Sequence, residues 1–167
     1  MSVKNPRELF VLLLSEARQN TERSAKIYKE ISQQAQDPDI KEALESRVWI
    51  ADKDVSAIDR CFQLIGEQPV QLSGRLQESL VEDIRRELTE IENPIAKAIF
   101  LLARSGYLSH SRVAEYQTLV EAADLSGHYA VGILLESCLA DKLVFIERTR
   151  RVIRNLVSTK LAARVGA

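Results

Sequence analysis

Apolar residues return at intervals of three and four along most of this chain. One set is Phe10, Leu13, Ala17, Tyr28 and Ile31, and a second is Ile40, Leu44, Ala51, Val55, Ile58, Phe62 and Ile65. A third runs through Ile95, Ile99, Leu102, Val113, Tyr116 and Val120, and a fourth through Ala130, Leu134, Val144 and Val152. Such spacing puts each set on one stripe of a helix and predicts four long α-helices. Asn5-Pro6, Asp37-Pro38 and Asn93-Pro94 each place a capping residue before a proline at the first helical position, where a missing N–H costs nothing. Gly66 and Gly127 stand where helices should stop, because glycine adopts the left-handed conformation that closes them. A shorter helix around Arg75 to Leu88, opening near Ser73, supplies the crossover that lets the second and third long helices run parallel. The expected fold is all-α: a four-helix bundle with one crossover helix.

Each stripe lapses into polar residues near mid-length. The lapses are Thr21 and Ser24 in the first helix, Arg47 and Asp54 in the second, Ser109 and Arg112 in the third, Ser137 and Asp141 in the fourth. In the third the lapse falls within "SGYLSHSRVAEYQTL", Ser105 to Leu119, beginning at Gly106. Counted outward from the turns, these positions come level under antiparallel pairing, so the sequence encodes a polar layer halfway along the bundle. Two placements are open for the arginines. Arg112 opposite Asp141 and Arg47 near Asp54 could pair inside the layer, or the arginine heads could reach water from the stripe edge.

Composition narrows the chemistry. The chain has 167 residues, which suits one domain spanning residues 1–167, with 23 Lys plus Arg against 24 Asp plus Glu. That balance gives no global electrostatic reason to expect nucleic acid or a membrane as partner. Cys61 and Cys138 lie far apart without CxxC spacing, which argues for reduced thiols and against zinc or a disulfide scaffold. The run "LFVLLL", Leu9 to Leu14, is too short for a signal core or a span, and the protein is expected to be soluble and cytoplasmic. His110 and His128 have no nearby cysteine or Ser-His-acid arrangement and read as surface or capping residues. No catalytic residue and no cofactor is expected.

Several segments resemble the YciE/YciF family of ferritin-like, stress-associated bacterial proteins. They are Leu9-Phe10, the "DP" followed by "IKEALES" at Ile40 to Ser46, "CFQLIGEQP" at Cys61 to Pro69, "EYQTL" at Glu115 to Leu119 and "LLESCLADK" at Leu134 to Lys142. The resemblance covers about Arg7 to Arg150 and implies a bundle whose centre can hold two metal ions on carboxylates and histidine. Carried over residue by residue, most of those ligands fail to arrive. The first-helix glutamate falls on Thr21, the second-helix glutamate on Ile50, and a Glu-His-Tyr-Glu run on Ser109, His110, Ser111 and Arg112. The acidic pair of the fourth helix falls on Asp141 and Lys142. A metal pair needs several anionic oxygens, so the resemblance combined with these residues implies a degenerate centre without metal.

The functional expectation is a non-enzymatic ferritin-like protein with an undefined, stress-related role. An alternative is a di-iron or di-manganese oxidase or storage protein using Glu22, Asp54, Glu115, Glu136 and Asp141. Trp49, between Val48 and Ile50, widens the apolar face of the second helix and suggests either a homodimer interface or packing under the crossover segment. From about residue 148 the chain is a basic amphipathic helix. It carries Arg148, Arg150, Arg151, Arg154, Lys160 and Arg164 interleaved with Val152, Ile153, Leu156, Val157 and Leu161. That extension leaves a third reading open, an adaptor for an anionic partner such as nucleic acid or a membrane.

Overall fold

The computed structural model describes the backbone of residues 3–165 and the side chains up to Asn155, together with Ser158 and Thr159. Five helices follow one another: α1 Pro6–Gln34, α2 Pro38–Ile65, α3 Arg75–Glu90, α4 Pro94–Leu125 and α5 Tyr129–Val165. All three capped prolines open helices as their chemistry requires. Asn5 accepts from the Glu8 N–H, Asp37 from Asp39 and Ile40, and Asn93 from Ile95 and Ala96. Gly66 closes α2 with φ 69°, a left-handed conformation that L side chains rarely adopt.

Contacts along the seams fix the directions. Tyr28 of α1 meets Ser105 and Ser109 of α4 while Asn20 meets Glu115, so α1 and α4 run antiparallel. Lys142 and Asp141 of α5 meet Asp54 and Lys53 of α2, and Phe145 meets Arg47, so those helices are antiparallel too. Arg7 at the start of α1 reaches the Ile65 carbonyl at the end of α2. Helices α2 and α4 are therefore parallel, as a ferritin-like bundle requires.

Such a parallel pair needs a long connection, and a row on α1 holds it. Ser15 Oγ accepts from the Val70 N–H, Gln19 donates to the Leu72 carbonyl, and Arg23 donates to the Gly74 carbonyl and to Glu78. These α1 residues are four apart and share one face. The crossover helix begins at Arg75 as expected, with Gly74 rather than Ser73 at its N-cap. Gly74 has φ 62°, a left-handed conformation that L side chains rarely adopt, and a Cβ there would displace the Arg23 guanidinium that now lies against it. Helix α3 then buries Gln77, Val81, Ile84 and Leu88, packing on α1 and α4.

Two apolar clusters fill the bundle. Phe10, Leu14, Ile58, Phe62, Leu119 and Leu135 belong to the one nearer the α4–α5 turn; Ile31, Ile40, Leu44, Ile84, Leu101 and Leu102 belong to the other. Between them lies the polar layer.

The stripe expected on α5 is rotated by one residue. Ala130 and Val144 are exposed, whereas Val131, Leu135, Cys138, Lys142, Phe145 and Ile146 are buried. Both series have helical spacing. Helix α5 also carries Leu134, Leu139 and Leu143 beside the buried row, so periodicity alone could not say which row faces inward. Ile95 and Ile99 of α4 are exposed too, for Leu101, Leu102, Ser105 and Leu108 take the core.

Candidate functional site

The one-residue rotation of α5 decides the chemistry of the centre. It turns Lys142 inward, 1% exposed, and leaves Asp141 at the surface, where it accepts from Lys53 at 2.6 Å. Lys142 Nζ donates to Asp54 Oδ2 and lies 3.8 Å from the centroid of the Tyr116 ring. An ammonium in this setting is held by one carboxylate and by the negative face of a ring. Burial raises the pKa of Asp54 against the opposing pull of Lys142, and burial lowers that of Lys142 against the opposing pull of Asp54. Both groups are pushed toward neutrality while their mutual attraction holds the pair together.

Arg112 has a different partner from the one expected. Its Nη1 lies 2.8 Å from Glu115 Oε2, one turn along the same helix, instead of facing Asp141. Asn20 of α1 donates to the other Glu115 oxygen at 2.8 Å. Burial raises the Glu115 pKa, opposed by Arg112 and by the Asn20 hydrogen bond. Arg47 is 3% exposed and does not reach water as a snorkelling arginine would; its Cζ sits 4.4 Å from the Phe145 ring centroid and 5.3 Å from that of Tyr28. Its charge acts on Asp54, but the ion-pair partner of Asp54 is Lys142.

The hydroxyls complete the layer. Thr21 Oγ1 donates to the Ala17 carbonyl, and Ser109 Oγ donates to Ser105 O at 2.8 Å. The Tyr28 hydroxyl lies 3.2 Å from Ser109 Oγ and donates to the Ser105 carbonyl at 3.3 Å. Gly106 opens α4 toward free space, since a Cβ there would meet nothing within 4 Å. Thus Ser109 and Arg112, the polar lapse of the third stripe, face a tyrosine and a glutamate.

Of the expected interior residues, Thr21, Arg47, Asp54, Ser109 and Arg112 are buried, while Asp141 and Ser137 are not. Lys142, Glu115, Asn20, Tyr28 and Tyr116 were not expected in the layer. Glu115 had a usable signal, its i,i+3 spacing from Arg112. Lys142 had only the family resemblance, which set it at one of the acidic positions of the fourth helix; periodicity gave none, because the faces of α5 differ too little in apolarity. Glu22 and Glu136 lie at the surface, Glu22 in a pair with Arg18. His110 is exposed with its Nδ1 2.8 Å from the Gly106 carbonyl, and the His128 ring packs near Phe10 at the α4–α5 turn. Trp49 is 68% exposed and Val48 and Ile50 half-buried. Packing of Trp49 under the crossover is excluded, since α3 lies against α1 and α4.

Along the basic extension, Arg148, Arg150, Arg151 and Arg154 are exposed, with Arg150 paired to Glu147. The side chains of Leu156, Val157, Lys160, Leu161 and Arg164 lie outside the described residues.

The donor set does not suit a di-metal centre. Among the described residues no three His, Cys, Asp or Glu side chains gather where they could hold an ion. The two interior carboxylates already have cationic partners from the chain itself. Also among the described residues, no helix is long and apolar enough to cross a membrane.

The fold is that of a ferritin-like four-helix bundle. The family described as a domain of unknown function, DUF892, matches residues 5–162, and the chain belongs to it. Among solved structures, the E. coli stress protein YciF is similar with a TM-score of 0.88 at 18% identity, over 93% of this chain and 99% of that one. YcfI from Rhodopseudomonas palustris is similar with a TM-score of 0.85 at 18% identity, over 89% of this chain and 95% of that one. A protein from Xanthomonas campestris pv. campestris gives a TM-score of 0.69 at 18% identity, over 94% of this chain and 99% of that one. No curated protein matches the sequence. The YciE/YciF resemblance read from the sequence is thus a true family relation.

The buried pair predicts a definite mutational pattern. Asp54→Leu or Lys142→Met alone should destabilise the protein by about 3–5 kcal/mol in chemical denaturation, because each leaves the other charge uncompensated. Asp54→Leu combined with Lys142→Met should recover most of that loss; simple additivity of the two single changes would show that the groups do not act as a pair.

The two thiols predict the alkaline limb of stability. Burial pushes Cys61 up to about 11, and burial followed by the nearby Asp54 charge pushes Cys138 up to about 12. Both values are raised, so this contribution is fully present below the ordinary thiol value of 9.0 and is lost as pH climbs from there toward the folded values. Between roughly pH 9.5 and 10.5 the unfolding free energy should fall by up to about 2.7 kcal/mol per pH unit from the thiols. Lys142, shifted down, contributes the opposite sign below 10.5. The difference between wild type and Cys61→Ala/Cys138→Ala therefore isolates the thiols, and parallel pH profiles for the two proteins would contradict it.

Proposed function

We propose that this chain is a non-enzymatic, cytoplasmic member of the ferritin-like family whose metal centre has been replaced by side-chain cations. The observation that carries this reading is Lys142, an ammonium buried on Asp54 over the Tyr116 ring at mid-bundle. Arg112 on Glu115 adds a second internal cation. A divalent ion placed in this layer would meet the permanent guanidinium charges of Arg47 and Arg112 in a poorly screened interior. A stress-related role is supported by the description of the similar E. coli protein YciF as a stress protein. The scattered positions of Glu22, Glu136 and Asp141 speak against the oxidase alternative, since carboxylates on the outer surface cannot bridge ions at the centre.

Metal addition tests the reading directly. Iron, manganese or zinc at stoichiometric excess should leave the Tm unchanged, because a ligand that does not bind the native state cannot stabilise it. Tightly bound iron or manganese in protein purified without chelators, measured by elemental analysis, would overturn the reading.

The same proposal includes a homodimer through α2. Trp49 is the exposed aromatic flanked by half-buried Val48 and Ile50, the composition of an interface anchor. Wild type should sediment as a dimer at micromolar concentration, and Trp49→Ala should weaken it by about 2 kcal/mol or more without loss of helicity. A monomeric wild type removes the dimer from the proposal.

A further inference from the structure

At mid-height the facing charges of α2 and α5 close on one another, Lys53 with Asp141 and Lys142 with Asp54. Nearer the start of α2 the same two helices carry opposite charges that do not close. Asp39 and Glu42 lie one turn apart on α2, Arg148 and Arg151 one turn apart on α5, and all four are exposed. Counted outward from the contact of Arg47 with Phe145, Glu42 and Arg151 stand about level. Yet among the described residues no hydrogen bond or ion pair joins α2 to α5 in this stretch; those that join the two helices are at Lys53 and Asp54.

A groove of about 550 Å³ separates the two rows, and all four charged residues line it. Its floor is apolar, made by the almost wholly buried Ile40 and Phe145 and the half-buried Ala43 and Val152. Asp37 also borders it, but that carboxylate is engaged in capping α2. Asp39 to Ser46 spans about 10 Å of α2, and Phe145 to Asn155 about 15 Å of α5, so the groove is about two to three helical turns long. It carries one sign of charge along each side.

We infer that this groove is a docking surface for an amphipathic helix of another protein, one with acidic residues along one flank and basic residues along the other. The apolar floor takes the apolar stripe of such a helix. Charges one turn apart on each wall match the repeat at which a helix presents its flanking charges, as at the outer positions of a coiled coil. A free amino acid or similar small zwitterion would reach one charge on each wall and leave most of the groove empty. Nucleic acid or an anionic membrane suits Arg148 and Arg151 but would meet Asp39 and Glu42. The acidic wall thus turns away the uniform polyanion that the basic extension alone would invite. The groove is independent of the bundle's centre, and its partner does not depend on what Lys142 excludes.

The probe is a stapled, fluorescein-labelled three-turn helical peptide with a leucine stripe, glutamates along one flank and lysines along the other, titrated with the intact protein and read by fluorescence anisotropy. It should bind roughly tenfold tighter than peptides whose flanks are all glutamate or all lysine, since each of those faces one wall of its own sign. Binding should weaken as salt is raised. Arg148→Glu with Arg151→Glu makes both walls acidic and should leave the all-lysine peptide the tightest binder, with the Tm unchanged because both residues are exposed. Should that variant lose stability, Glu42→Lys gives the mirrored test, shifting preference toward the all-glutamate peptide. Absence of binding, equal binding of the three peptides, or a preference that does not follow the wall charges overturns the inference. Tighter binding of DNA, of phosphatidylserine vesicles or of free lysine than of the mixed peptide overturns it as well, and so does wild-type self-association that Arg148→Glu with Arg151→Glu abolishes, which would assign the groove to a second copy. Metal uptake would defeat the functional reading and leave this one intact, and indifference to the peptides would do the reverse.

Discussion

A charge carried into an apolar bundle must be neutralised within reach of its own side chain, and that constraint organises the middle of this protein. Asp54 and Lys142 are each almost wholly buried, and neither is tolerable without the other. Their meeting requires α2 and α5 to be antiparallel and in one register, since a one-residue slip of α5 would bring Asp141 inward and set two carboxylates together. The pair therefore specifies alignment more than it adds stability. An apolar pair of similar volume could pack as well, but it would not distinguish the correct register from its neighbours.

The two apolar clusters on either side of the layer hold the fold without drawing on the chemistry at its centre. Phe10, Leu14, Ile58 and Leu135 at one end, and Ile31, Ile40, Leu44 and Leu101 at the other, are ordinary core residues whose packing makes no reference to the chemistry between them. Proline-marked caps and the Ser15, Gln19 and Arg23 row on α1 set the connections independently of the centre. The backbone of YciF is matched at a TM-score of 0.88 with only 18% identity, as expected when the fold rests on pattern and caps. The middle layer is then free to carry ammonium and guanidinium groups, provided that each finds a counter-charge or a π-face.

The legible and illegible parts of the site divide by helix. On α1 and α2 the inward row was plain, and on α4 it held from Leu102 onward although Ile95 and Ile99 are exposed; Thr21, Arg47, Asp54, Ser109 and Arg112 interrupt these stripes, and all five are buried. On α5 apolar residues occur on adjacent faces, and the inward row was placed one residue off. That shift of about 100° exchanged Lys142 for Asp141. The sign of the charge at the centre changed with it, from an apparent carboxylate to a buried ammonium.

By itself the sequence determined the three proline-marked helix starts, the glycine stops, the crossover, the family and the existence of a polar layer at mid-height, because capping chemistry and helical period act locally and can be read locally. Only the tertiary structure decided the partners within that layer: Lys142 with Asp54, Arg112 with Glu115 and Asn20, and Arg47 against Phe145 and Tyr28. Which face of α5 turns inward depends on how four helices share the available volume and balance their charges together. No single helix carries that information.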